Sequence, residues 1–374
     1  MKPEIEKYVL LLREMVSIPS HSFGEEKVAD LICAFLEGED VVFKRERNNI
    51  LALNRHFDPS RRTLAMDAHI DTVPPSDGYT RNPYDSGNDS DVIWGLGSND
   101  DGGSVVSMLA AFVHLYECDL PVNLMLVLTC EEERSGANGS TWLYGSAGPF
   151  GREIRTDANH SRLYDFPRPE WVIVGEPTGM KAATSERGLL VLDGEAHGVS
   201  GHAARGEGVN ALYIALEDIV RLREHRFGKH SELMGEVKLN VTQINAGTVH
   251  NIIPDSCCFT VDIRPTEKYT NEEIWKELQS LCRSTLTPRR LTNRSSATFA
   301  GSPLLRAVEE LGVETFSSPT TSDWMQTGCD AIKMGPGESS RSHRADEFIK
   351  VSEIEDAVEK YIAFIGIMGK IKAE

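Results

Sequence analysis

Apolar residues at Ile5, Tyr8, Val9, Leu12 and Val16 recur three to four positions apart, the spacing that lays one face of a helix on a core. This periodicity predicts helices over 4–16 and 24–37, and shorter apolar runs near 41–44, 50–53 and 63–68 read as strands. A glycine-rich turn then leads into an apolar helix from about Ser104 to Tyr116, followed by a strand from Val122 to Thr129. Within that strand, Leu124-Met125-Leu126-Val127-Leu128 has no polar position, which fits a strand covered on both faces. Strands alternating with helices predict an α/β sheet with helices on both sides, whose ligands gather at the carboxyl ends of the strands.

The pattern changes after about residue 182. Val237, Leu239 and Val241 alternate with polar residues, as do Phe259, Val261 and Ile263, the period of two expected of half-exposed antiparallel strands. With helices expected near 207–224 and 271–284, this stretch reads as an α+β module inserted into the first domain. The α/β pattern resumes near Ser302, with a short strand Ala331 to Met334 and a last helix from about Ser352 to Met368. The expected organisation is a catalytic domain from residues 1–182 and 289–374 with an inserted domain over 183–288. A chain of 374 residues is also too long for one ordinary core.

Charge narrows the partners. A formal net charge of −18 and a pI near 5.1 argue against nucleic acid or an anionic membrane as a partner, because a polyanion would be repelled. Seven cysteines, two of them adjacent at Cys257 and Cys258, fit reduced thiols better than a disulfide framework. No apolar signal segment opens the chain, and no stretch approaches the roughly 18 apolar residues that span a bilayer. The expectation is a cytoplasmic enzyme.

Candidate chemistry sits where apolar runs end. His69-Ile70-Asp71 closes one strand, and residues two apart share a face, so Asp71 could accept a hydrogen bond from one nitrogen of His69 while the other meets a metal. Gly95-Leu96-Gly97-Ser98-Asn99-Asp100-Asp101-Gly102-Gly103 places two acidic residues at a helix start after glycines that permit close backbone approach. Glu131-Glu132-Glu133 follows the apolar strand, and like charges clustered there raise one another's pKa unless a cation offsets them. Glu176 follows the run Trp171 to Val174, and His343 follows Gly335-Pro336-Gly337. Taken singly, each has an ordinary reading as a surface contact, a helix cap or a solvated loop.

Together, in order and spacing, they resemble the zinc peptidase and deacylase family that contains acetylornithine deacetylase, succinyl-diaminopimelate desuccinylase, aminoacylase and glutamate carboxypeptidases. The resemblance rests on His-x-Asp-Thr-Val-Pro at 69–74, Gly-x-Gly-Ser-x-Asp at 95–100, the acidic triplet, Gly-Glu-Pro-Thr at 175–178 and His-x-x-x-Glu at 343–347. In the inserted module, Arg187-Gly188, Gly201-His202-Ala203, Asn251-Ile252-Ile253-Pro254 and Asp262-Ile263-Arg264-Pro265 also look like family signatures. It implies a mixed-sheet α/β catalytic domain of the zinc-exopeptidase kind, with the β-α-β-β-α-β insert acting as lid and dimerisation domain.

The resemblance further implies two Zn²⁺, with Co²⁺ or Mn²⁺ able to fill the same ligands. His69 and Glu176 would hold one ion, Glu133 and His343 the other, and Asp100 would bridge them. Three carboxylates and a hydroxide then balance two divalent ions, and a neutral cluster is the least unfavourable to bury. Glu132, left without a ligand role, would be the general base; Asp71 would orient His69, and His202 would donate to the developing oxyanion from the partner subunit of a homodimer. Arg187, Asn251 and Arg264 resemble positions that bind a substrate carboxylate.

Two positions depart from the family pattern. Its usual Asp-x-Lys-Gly-Gly appears as Asp100-Asp101-Gly102-Gly103, and its Gly-Arg-Gly as Gly95-Leu96-Gly97. The branch most resembled is that of acetylornithine deacetylase, which implies removal of an acyl group from an N-acyl amino acid, ornithine or citrulline, in arginine biosynthesis. A succinyl-diaminopimelate desuccinylase, a dipeptidase or carboxypeptidase, and a non-catalytic metal-binding relative are the other readings.

Overall fold

A computed structural model describes residues 4–151 and 166–370, so Met1-Lys2-Pro3 of the N-terminal reading lies outside it. The chain divides into two compact units, one of Met1–Thr184, Thr298–Phe316 and Ser322–Glu374, the other of Ser185–Ala297 with Ser317–Thr321. The architecture is mixed α/β, as the pattern of elements leads one to expect.

In the first unit, neighbouring strands run in the order Phe43–Glu46, Asn49–Leu53, Asn123–Thr129, Thr63–His69, Trp171–Val174, Asp330–Lys333 and the strand beginning at Ala182. The four strands at 123–129, 63–69, 171–174 and 330–333 are mutually parallel, so their carboxyl ends lie along one edge. Every residue of Asn123–Thr129 is buried, and the reason is visible in its alternation. Leu124, Leu126 and Leu128 join the core beneath the helices Glu6–Val16, Glu26–Gly38, Gly103–Leu115 and Val351–Met368, whereas Met125 and Val127 join a second cluster with Leu143, Phe150 and Trp324 on the opposite face.

The second unit has a four-stranded antiparallel sheet in the order Lys238–Ala246, Ser256–Arg264, Leu190–His197 and Thr285–Pro288, with helices Ala211–Glu224 and Asn271–Leu281 sharing its core. Cys257, Phe259, Val261 and Ile263 turn inward while their neighbours do not. Helix boundaries differ from the sequence reading for local reasons. The first helix begins at Ala211 rather than 207 because Asn210 caps it, its side chain accepting the Leu212 N–H at 3.0 Å, after Gly208 adopts φ of +106°. The second ends at Leu281 rather than 284 because the buried Asp218 carboxylate captures both the N–H and the hydroxyl of Ser284, each at 2.7 Å.

Candidate active site

The parallel strands bring their ends together. His69 is the last residue of its strand, the acidic triplet follows Thr129, Glu176 follows Val174, and the loop carrying His343 follows Lys333. One donor atom each from His69, Asp100 and Glu133 lie within 4.8 Å of one another, and the same holds for His69, Glu132 and Glu176. His343 Nε2 is 3.1 Å from Glu133 Oε1 and 3.6 Å from Asp100 Oδ2. Side chains spread over 275 positions of sequence, from 69 to 343, therefore share one small volume at the sheet edge.

The histidine tautomer follows from the hydrogen bonds. His69 Nδ1–H donates to the Asp71 backbone carbonyl at 2.9 Å, which turns Nε2 toward Asp100 Oδ1, 3.2 Å away. The Asp71 carboxylate also lies beside that ring, at 3.4 Å, and has a second occupation. Its oxygens accept the N–H groups of Glu132 at 3.0 Å and Glu133 at 3.1 Å, and the Ser22 hydroxyl at 2.6 Å. Asp71 therefore meets the imidazole twice, through its main-chain carbonyl at 2.9 Å and through its carboxylate at 3.4 Å, and the same carboxylate fixes the segment bearing Glu132 and Glu133.

Glu131 has a structural task. It adopts φ of +61°, and its carboxylate accepts the Asn138 N–H at 2.9 Å and the Asn138 side-chain amide at 2.6 Å. The buried Glu25 accepts the Glu131 N–H at 3.1 Å. His343 also sits at positive φ, +57°, a strained position for a non-glycine residue. Ser22 and Glu25 escape the sequence reading, since nothing in their spacing marks them, whereas Asn99 and Glu347 lie within quoted motifs without a role of their own.

Electrostatics in the metal-free chain show what such crowding does. Burial, reinforced by neighbouring carboxylates, pushes Glu132 and Glu176 well above the usual carboxylate range, and burial raises Glu133 as well. His343 is pushed up to about 9 by its hydrogen bond to Glu133. His69 is raised too: burial opposes its protonation, but its bonds to Asp100 and Asp71 outweigh that. Buried like charges crowded in this way favour a counter-ion among them. Imidazole and carboxylate donors of this kind suit a borderline divalent ion, so the residues present fit a metal site.

One departure from the family pattern has a steric counterpart. A Cβ at Gly102 would lie 2.4 Å from the Gly97 carbonyl oxygen and 2.6 Å from Leu12 Cδ1, so this backbone leaves no space for the missing lysine.

The other four candidates belong to the second unit. His202 and Asn251 are neighbours there, because the strand Gly201–His202 pairs with Ile252–Ile253. His202 is exposed, and its Nδ1 accepts the Ala204 N–H at 3.2 Å, which leaves Nε2–H as a donor. Arg187 is buried, and its guanidinium donates to the backbone carbonyls of Met234, Glu236 and Arg264. Arg264 grips Asp262 with two bonds of 2.8 and 3.1 Å. Arg187 is thus engaged with the main chain of its own unit.

A model of peptidase family M20/M25/M40 matches residues 65–366. The chain belongs to this family. As an M20 member it is a metal-dependent amidohydrolase of the metallopeptidase class. It is 26% identical over 403 residues to acetylornithine deacetylase from Shigella sonnei (strain Ss046), an alignment covering 98% of each chain. Among solved structures, it is similar to an M20 family metallo-carboxypeptidase from Sulfolobus solfataricus, with a TM-score of 0.75 at 17% identity over 98% of this chain and 100% of that one. A Bacillus subtilis M20 protein described as a dinuclear metal binding peptidase superposes with a TM-score of 0.70 at 14% identity over 98% of both chains.

Proposed function

We propose that this M20 chain is a two-metal deacylase that removes the acyl group from an N-acyl amino acid, N-acetylornithine or an N-acyl-citrulline, in the cytoplasmic synthesis of arginine. The observation that carries the reading is the meeting of His69, Asp100, Glu132, Glu133, Glu176 and His343 in one volume. His69 and Glu176 would hold one ion, Glu133 and His343 the other, with Asp100 between them. Zinc is the metal we assign, since imidazole and carboxylate ligands with an open position are typical of its catalytic sites. A pair of such ions, when bound, polarises an amide carbonyl and acidifies water.

The chain supplies the rest. Glu132, which holds no ion in this assignment, takes the proton of the attacking water and returns it to the leaving amine. Asp71 holds the Glu132 main chain, and so fixes where that base can reach. His202, with a free Nε2–H, is assigned to the oxyanion, and Asn251 and Arg264 to the substrate carboxylate. Arg187 is assigned to the same group of carboxylate-binding residues, and its bond to the Arg264 carbonyl links the two arginines.

A homodimer formed through the second unit belongs to the same reading. Lys238–Ala246 ends its sheet with an unpaired edge, and Tyr213, Leu216 and Val220 stand exposed on one face of the helix Ala211–Glu224, the features an interface would cover. Free thiols at all seven cysteines support a reducing compartment, and no helix of the described residues is long and apolar enough to cross a membrane.

The test is hydrolysis of acetyl-ornithine, acetyl-citrulline, succinyl-ornithine, succinyl-diaminopimelate and a dipeptide with a free amine by metal-loaded protein. Preference for an acyl-ornithine or acyl-citrulline is the expected result, and preference for the dipeptide rejects it. Glu132→Ala should abolish turnover with metal content unchanged; a variant that keeps near-normal rate removes Glu132 from the role of base.

A further inference from the structure

Two buried polar residues that face the candidate ligands take no part in the chemistry above. Asn99 is completely buried, and its side chain reads the backbone of a loop some 240 positions away. Its Oδ1 accepts the Glu338 N–H at 2.9 Å, and its Nδ2 donates to the Glu338 carbonyl at 3.2 Å and to the Ser342 hydroxyl at 3.4 Å. The amide packs against Gly337, where φ is +77° and a Cβ would come within 2.3 Å of Asn99 Oδ1. In the reverse direction, the buried Glu347 carboxylate accepts the N–H groups of Asn99 and Asp100, each at 2.9 Å, and the Glu347 carbonyl accepts the Gly95 N–H at 2.8 Å.

Each loop thus binds the other's main chain through a side chain of its own. One of them carries Asp100, and the other carries His343. We propose that Asn99 and Glu347 form a reciprocal clamp that sets Asp100 against His343, making both of them positioning residues for the metal pair. The contrast with the other side of the site gives the clamp its importance. His69 ends one strand and Glu176 closely follows another, the two joined by a regular parallel ladder in which Asp67 pairs with Val174, so the sheet itself fixes their separation. His343 has no such support: its side chain is 55% exposed, its backbone is left-handed, and the ladder ends before it.

The functional half of the proposal rests on the two-metal reading, whereas the clamp itself does not. Two measurements on the full-length protein separate them. In hydrogen–deuterium exchange of the metal-free chain, Asn99→Ala should raise uptake in the distant 335–345 segment, and Glu347→Ala should raise it in 97–103. In calorimetric titration with Co²⁺, both variants should lose about tenfold or more in the weaker of the two binding steps while the tighter step changes by less than about threefold, the scale on which supporting groups act on ligands. Glu347→Gln keeps an acceptor oxygen and should restore the weaker step to within about threefold of wild type.

Unchanged exchange in the opposite loop overturns the clamp. Equal weakening of both Co²⁺ steps, or a Glu347→Gln variant that behaves like Glu347→Ala, overturns the positioning role in favour of general stability. Wild-type protein that takes up no Co²⁺ rejects the two-metal reading together with the functional half of this proposal, and the exchange result still decides whether the clamp exists.

Discussion

Replacing Asp71 with asparagine should damage the site more than its distance from the chemistry suggests. The wild-type carboxylate is fully buried, lies 3.4 Å from the His69 ring and accepts hydrogen bonds from Glu132 N–H, Glu133 N–H and the Ser22 hydroxyl. Asparagine offers one acceptor oxygen in place of two, so its NH₂ group must face a donor. If that donor is a backbone N–H, one charge-assisted bond worth about 1.5–3 kcal/mol is lost and a buried N–H is left without an acceptor. The loss moves Glu132 and Glu133 before it moves anything else, since their N–H groups are the ones released. Should about 2–4 kcal/mol of this appear in the transition state, kcat/KM falls by about 30-fold to 1,000-fold. The assay is steady-state hydrolysis of the preferred N-acyl amino acid at saturating metal, alongside a thermal melt. Ser22→Ala serves as control, since it removes one hydroxyl donor and leaves both backbone donors held; its effect should stay under about fivefold. A Asp71→Asn enzyme within about threefold of wild type, with an unchanged melting temperature, would refute the assignment of that carboxylate.

Other outcomes follow from the same geometry. His343 has its pKa raised from 6.5 to about 9, so the stabilisation from its contact with Glu133 is complete below pH 6.5 and is lost as pH rises through 9. The melting temperature of metal-free protein should therefore fall over that window, and His343→Ala should flatten the fall; a pH-independent melt in wild type would contradict the contact. Because proton and ion compete for the same imidazole, affinity for the ion held there should rise by about tenfold per pH unit over the same range, read by calorimetry. Gly102→Ala forces a methyl group against Gly97 and Leu12, and should destabilise by about 1–3 kcal/mol in urea unfolding, whereas a neutral result would show that this turn adjusts freely. Tyr213→Asp should convert a dimer to monomers in light scattering if the exposed helix face is the interface, with the fold of the second unit retained by circular dichroism.

The fold was readable because long apolar runs admit few alternatives. Leu124 to Leu128 cannot be an exposed strand, and its burial on both faces requires helices on both sides of the sheet. The positions of His69, Glu133 and Glu176 at strand ends followed from the same runs, and parallel pairing then draws strand ends together whatever their separation in sequence. Less was visible where a side chain's partner is remote backbone. Nothing in the pattern distinguishes Asn99 as a residue that grips Glu338, or Glu347 as the acceptor for Asp100 N–H, because hydrogen bonding to main chain leaves no periodicity. Arg187 shows the same limit from the other side: an arginine suits a substrate carboxylate and a cage of backbone carbonyls equally, and its spacing did not announce the carbonyls of Met234 and Glu236. The edge strand Lys238–Ala246 is likewise more exposed than its alternation implied, since alternation marks which residues share a face and says nothing of what covers that face.

Elemental analysis of protein purified without chelator, followed by titration of the stripped form, bears most directly on the central claim. The account predicts two divalent ions per chain, lost together with activity and restored together with it, and retained in Glu132→Ala. Native protein that carries none, and a stripped form that binds none tightly, would contradict it.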